Sequence, residues 1–80
     1  MNMEGEEKEQ IERLKKRIGH WAEHNKEHIE SFKKAAEEAR RSGFEEVSNL
    51  LKDATRRMEE ANSCLLEAMK ELETREKKES

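Results

Sequence analysis

Apolar side chains recur at alternating intervals of four and three residues along two stretches of this chain. This spacing restricts the possible fold more than any other feature, because 3.6 residues per helical turn convert it into one apolar stripe. The first series is Leu14, Ile18, Trp21, Asn25, His28, Phe32, Ala35 and Ala39. The second series is Val47, Leu51, Ala54, Met58, Ala61, Leu65, Ala68 and Leu72. The chain has no proline, so both series predict long, uninterrupted helices.

Ser42 and Gly43 separate the two series and predict a tight turn. Gly43 suits the left-handed conformation that commonly follows a helix, and Arg40 and Arg41 suit the negative end of the helix dipole. A connection this short allows only an antiparallel hairpin. The predicted hairpin covers residues 9–74, with a first helix at about 9–41, a turn at 42–43, a second helix at about 44–74, and polar, frayed tails at 1–8 and 75–80.

Folding the chain at this turn pairs residues whose numbers add to about 86. Phe32 then faces Ala54, and Ile18 faces Ala68, so large side chains repeatedly meet small ones. Asn25 and Asn62 lie near one another, and a buried asparagine can fix register and oligomeric state. The residues predicted to form the interface and set its register are Trp21, Asn25, Phe32, Met58, Asn62 and Leu65.

Composition indicates that one hairpin is a small folding unit. Charged residues make up 46% of the chain, and Leu, Ile, Val and Phe together account for only 12 of 80 residues. Such a chain buries little apolar surface by itself. We therefore predict an all-α fold, a coiled-coil-like antiparallel two-helix hairpin that dimerises into a four-helix bundle. The alternative is a lone, marginally stable hairpin.

Several function classes are disfavoured. The net charge of −3, with basic and acidic residues interleaved, argues against a nucleic-acid-binding protein. No apolar run approaches a signal peptide or a membrane span, and the single cysteine fits a cytoplasmic protein. There is no glycine-rich phosphate loop, and nothing indicates a catalytic pocket or an oxyanion donor, so we expect no enzyme activity.

Three histidines spaced four residues apart are the chain's candidate metal ligands. His20, His24 and His28 fall in a slanted row on the first helix, and histidines at i and i+4 can share one metal ion. In the predicted pairing Cys64 lies opposite His20 and His24, which gives a donor set suited to a divalent transition metal such as zinc, nickel or cobalt. The alternative is structural: solvated histidines, and a cysteine that fills space near Trp21.

The run His20-Trp21-Ala22-Glu23-His24-Asn25-Lys26-Glu27-His28, followed by Gly43-Phe44-Glu45-Glu46-Val47, Met58-Glu59-Glu60-Ala61-Asn62 and Leu65-Leu66, carries a resemblance. Over roughly residues 18–72 the chain resembles an uncharacterised small helical-hairpin module of bacterial and archaeal proteins with an HWxEHN-like start. Such modules occur alone or after histidine-rich tracts in proteins of nickel and cobalt handling. The resemblance therefore implies a helical hairpin and adds direction to the metal hypothesis.

The sequence leads to two main functional hypotheses. The first is a non-enzymatic protein-interaction module that self-associates as a homodimer. The second is an accessory protein that binds nickel, cobalt or zinc through the histidine row. A further alternative is a regulatory subunit whose exposed stripe binds a different protein.

Overall fold

The chain forms two long helices that pack against each other as a hairpin. In the computed structural model, which describes residues 3–79 and the side chains of residues 5–78, α1 spans Met3–Arg41 and α2 spans Glu45–Glu79. The molecule is a rod whose Cα extents are 64 × 14 × 12 Å. The predicted two-helix hairpin is thus confirmed.

The turn between the helices is closed by a specific hydrogen-bond pattern. Gly43 has a φ of +84°, the left-handed conformation that favours glycine. The Gly43 amide donates to the Arg40 carbonyl at 3.0 Å, and the Phe44 amide donates to the Ala39 carbonyl at 2.8 Å. These two bonds form a Schellman motif, which satisfies carbonyls left open at the end of α1. Glu45 and Glu46 follow at the start of α2, where negative charge suits the helix dipole.

The helices extend further than the polar composition of their ends predicted. Residues 3–8 and 75–79 are helical, whereas frayed tails were expected there; residues 1, 2 and 80 lie outside the described residues. Ion pairs between the helices occur in these end segments. Arg75 Nε lies 2.7 Å from Glu7 Oε2, and Lys15 Nζ lies 3.0 Å from Glu76 Oε1. Charged side chains therefore link α1 and α2 at the open end of the hairpin, where apolar residues are scarce.

The Lys15–Glu76 contact belongs to a small charged cluster that also contains Glu12. The hydrogen bond between the two carboxyl groups raises the pKa of Glu12 and, together with the bond from Lys15, lowers the pKa of Glu76. The hydrogen bond to Glu76 raises the pKa of Lys15. At neutral pH the Lys15 ammonium group thus lies beside the Glu76 carboxylate, which stays ionised to a lower pH than an ordinary glutamate.

The bonds between the helices give a register close to the predicted one. Asn25 Nδ2 donates to Asn62 Oδ1 at 3.2 Å, a pair whose numbers add to 87. The bonds from Ser48 to the Ala36 carbonyl and from Asn62 to the Ala22 carbonyl join pairs that add to 84. These sums lie on either side of the predicted value of about 86.

The seam does not use the predicted stripes as a whole. On α1 it buries Ile11, Ile18, Ala22, Ile29, Ala36 and Ala39, and on α2 it buries Ser48, Thr55 and Asn62. Several members of the predicted series lie outside it: Leu14 is 42% exposed, Trp21 45% and Val47 50%. Placing Trp21 in the hairpin interface was therefore wrong.

Buried polar groups explain why the sequence pattern missed this seam. Ser48 Oγ donates to the Ala36 carbonyl at 2.9 Å, and Asn62 Nδ2 donates to the Ala22 carbonyl at 3.3 Å. Thr55 Oγ1 donates within its own helix to the carbonyl of Leu51. Since each polar group has a partner, burial of these residues carries little penalty. Polarity alone marks them as surface positions, and only their hydrogen bonds make them seam positions.

Candidate functional site

An apolar strip runs along one side of the hairpin surface. We call it the outer apolar face. On α1 it comprises Leu14, Trp21, Asn25, His28, Phe32 and Ala35, and on α2 it comprises Val47, Leu51, Ala54, Met58, Ala61, Leu65, Ala68 and Leu72. Many of its members, such as Phe32 and Leu65, are half-buried because they also border the seam. Phe44 and Leu50, 61% and 60% exposed, extend the face toward the turn.

Two ion pairs establish that the stripes of α1 and α2 lie on the same side of the hairpin. Glu7 precedes Leu14 by seven residues, so the two lie on the same row of α1. Arg75 follows Ala68 by seven residues, so these two lie on the same row of α2. The 2.7 Å contact between Glu7 and Arg75 therefore joins the two outer rows. Lys33 and Glu59, whose charged atoms are 3.6 Å apart, join the rows on the other side.

That other side of the hairpin is polar. The residues that flank the seam there include Lys26, Lys33, Lys52 and Glu59, all exposed. Leu66, at 53% exposure, is the large apolar residue on this side. The two long sides of the hairpin thus differ sharply, one mainly apolar and one mainly charged.

Gly19 lies on the charged side, at the edge of the seam. A Cβ atom built on Gly19 would meet the Met69 methyl group at 3.9 Å, which is ordinary van der Waals contact. The packing there has room for alanine. Close helix approach therefore does not require this glycine.

Trp21 stands near the middle of the outer apolar face. The Arg17 guanidinium lies 5.5 Å from the centre of its indole ring, a cation–π contact at the edge of the face. The imidazole of His28 lies 4.7 Å from that of His24 and 6.0 Å from the Phe32 ring, centroid to centroid. An aromatic ladder thus runs along α1 beside the tryptophan.

The predicted metal ligands are only partly brought together. His20, His24, His28 and Cys64 are all exposed, and His24 and His28 form the close pair. Among the residues that the structure describes, no group of three or more His, Cys, Asp or Glu side chains is arranged to hold a metal ion. A site for a divalent transition metal in one chain stays a prediction that rests on the His24–His28 pair.

Three polar residues, Ser48, Thr55 and Asn62, line the seam. The sequence predicts Asn62 at the interface but does not predict Ser48 or Thr55 there. The available signal is their spacing of seven residues on α2, which matches the spacing of Ala22, Ile29 and Ala36 on α1. A polar heptad row opposite an apolar one marks a seam only if hydrogen-bond partners are within reach.

Comparison with protein families finds a match over most of the chain. The model of the family described as Domain of unknown function (DUF8180) matches residues 14–72, which is most of the 80-residue chain. The chain belongs to the DUF8180 family. The DUF8180 region begins at Leu14 and ends at Leu72, the first and last residues of the outer apolar face, so it contains the whole face and the turn.

The DUF8180 chain finds no match among curated proteins or among solved structures. Within residues 3–79, neither helix combines the length and apolar character needed to cross a membrane. Function must therefore be argued from the geometry of the hairpin.

Proposed function

We propose that this protein is a self-associating helical interaction module whose outer apolar face packs on the same face of a second copy, giving a four-helix bundle. The proposed role is assembly rather than catalysis. One observation carries it: the hairpin buries Ser48, Thr55 and Asn62 while Leu14, Trp21 and Val47 stay 42–50% exposed. A monomer that placed polar residues inside and its tryptophan outside would forgo much of its available hydrophobic stabilisation.

The distribution of charge supports one contact side. The side that carries Lys33 and Glu59 is solvated by its ionic groups and offers little apolar area. The outer apolar face, by contrast, has Asn25 and His28 as its polar members, and Asn25 already donates to Asn62. Contiguous exposed apolar patches of this kind mark interaction sites in soluble proteins.

The size of the face fits a stable homodimer. Val47 to Leu72 spans about 38 Å at about 1.5 Å per residue. Two helices side by side are about 20 Å wide, since packed helix axes lie about 8–10 Å apart and each carries side chains. The face therefore presents about 750 Å² per copy, close to the roughly 800 Å² per partner of a standard protein interface. A twofold axis lets the same face serve both partners.

Trp21 is the only tryptophan, so its fluorescence reports on the face directly. We expect sedimentation velocity to give a dimer at concentrations above about 50 μM, with a dissociation constant in the micromolar range. The tryptophan emission maximum should move to shorter wavelength over the same concentration range, because the indole leaves water. A monomer with unchanged emission at about 500 μM would overturn the proposal.

A matched pair of variants tests which side is used. Trp21→Glu replaces the indole by a charged group on the outer apolar face and should weaken dimerisation at least 30-fold, about 2 kcal/mol, since the apolar contact is lost and a carboxylate is desolvated. Leu66→Glu makes the same kind of change at a residue that is 53% exposed on the charged side, and it should leave the dissociation constant within about twofold. Equal loss in both variants would contradict the assignment of the face. Association only with a different protein, with the pure chain monomeric, would favour the regulatory-subunit alternative.

A further inference from the structure

We infer that the two copies associate with their turns at the same end of the bundle, so that α1 of each copy lies against α2 of the other. This inference rests on the proposed self-association through the outer apolar face. It specifies which of two possible twofold arrangements the face supports.

Two identical faces can be joined by a twofold axis in two principal ways. An axis parallel to the rod keeps both turns at one end and stacks α1 on α2 of the second copy. An axis across the rod puts the turns at opposite ends and stacks α1 on α1 and α2 on α2. Both give isologous four-helix bundles with antiparallel contacts between copies.

Symmetry fixes the register of the same-end arrangement. Rotation about an axis parallel to the rod does not move residues along it, so α1 meets α2 of the second copy at the level seen within one hairpin. Opposed residues then have numbers that add to 84–87, as the bonded pairs Ser48–Ala36 and Asn25–Asn62 do. Layers built from the outer apolar face need about 86, with Phe32 opposite Ala54. This value lies within the range that the hairpin itself shows.

In that register the side chains of the two stripes complement each other in size. Phe32 of one copy meets Ala54 of the other, and Leu51 meets Ala35; all four are only partly buried within one hairpin. Asn25 with Ala61 is a further large-to-small layer, whereas Ile18 and Ala39 are already buried in the hairpin seam. The part of the predicted complementarity that the hairpin seam leaves accessible thus becomes the packing between copies.

The opposite-end arrangement fits less well. It gathers Trp21, His28 and Phe32 of both copies in the seam between the two α1 helices. The seam between the two α2 helices would instead contain no aromatic side chain of the face, and Ala54, Ala61 and Ala68 would be among its members. One seam would be wide and the other narrow, although the two helices of each hairpin lie side by side in a rod only 12–14 Å across. The same-end arrangement gives two identical seams by symmetry.

Distance measurements between spin labels test the arrangement. Cys64 is exposed and is first replaced by serine, and a nitroxide is then attached to Ser42→Cys in the turn. The same-end arrangement predicts a label-to-label distance below about 25 Å, while the opposite-end arrangement predicts about 50 Å from 17 residues on each side of Asn25. A second label at Arg41→Cys, whose side chain is 73% exposed, guards against a local disturbance of the turn.

A label at Glu60→Cys, near the middle of α2 and exposed, serves as the matched control. It predicts a distance of about 20–40 Å in either arrangement, because it lies close to the midpoint of the rod. A distance below about 25 Å between the two Ser42→Cys labels, together with the expected distance between the two Glu60→Cys labels, supports the inference. A turn distance near 50 Å with the mid-rod distance present overturns it and leaves self-association intact. Loss of the dipolar signal at both positions overturns self-association as well.

Discussion

The hydrogen bonds of Asn62 give the sharpest test of how the hairpin seam is held in register. Asn62 is only 9% exposed, accepts from Asn25 at 3.2 Å and donates to the Ala22 carbonyl at 3.3 Å. Each bond contributes a net of about 1 kcal/mol, so Asn62→Ala should lower the free energy of unfolding by about 2 kcal/mol, less about 0.5 kcal/mol for the better helix propensity of alanine. The expected loss is about 1.5 kcal/mol.

The companion variant Asn25→Ala removes one bond and leaves the Asn62 side-chain oxygen without its donor in a buried layer. It should cost about 1 kcal/mol after the same propensity correction. The double variant should be about 1 kcal/mol less destabilised than the sum of the singles, because the bond that the two residues share is lost only once. Asn49→Ala, at an exposed position of α2, carries the same change of residue type and should be neutral or slightly stabilising.

Urea titration followed by circular dichroism at 222 nm measures these values. All variants should be compared at one protein concentration, since association would contribute to the apparent stability. A coupling energy below about 0.3 kcal/mol would refute the paired role of the two asparagines. So would an Asn62→Ala variant no less stable than the Asn49→Ala control.

Three further predictions concern single side chains. Gly43→Ala should destabilise the hairpin by about 1 kcal/mol in the same urea assay, because residue 43 has a left-handed backbone conformation. Gly19→Ala should instead stabilise the hairpin by up to about 1 kcal/mol. Equal effects of the two substitutions would contradict the role of Gly43 in the turn. Ser48→Leu should cost about 1–3 kcal/mol through overpacking of a 2%-exposed position, as measured by the urea midpoint, and a neutral result would refute close packing there. His28→Leu should tighten dimerisation about fivefold by sedimentation, and His20→Leu, away from the face, should leave it unchanged; equal responses would place His28 outside the contact.

The seam and the face together explain an apparent conflict between sequence and structure. The apolar stripe on α1 is about three rows wide, because Ala22, Ile29 and Ala36 flank one side of the predicted series. A single neighbouring helix can cover two rows only. The row of α1 that is left outside depends on which row of α2 faces α1. One possibility is the polar row that contains Ser48 and Asn62, and the other is the apolar row of valine and alanine.

The sequence by itself determined two helices, the turn at Gly43 and the approximate register, because these depend on local periodicity and backbone freedom. Only the tertiary structure decided which rows are buried. Asn62 is acceptable inside because the Ala22 carbonyl and Asn25 are within hydrogen-bond reach, and that proximity exists only after the chain has folded. The same choice leaves Trp21 exposed, since one seam cannot cover both flanks of a stripe.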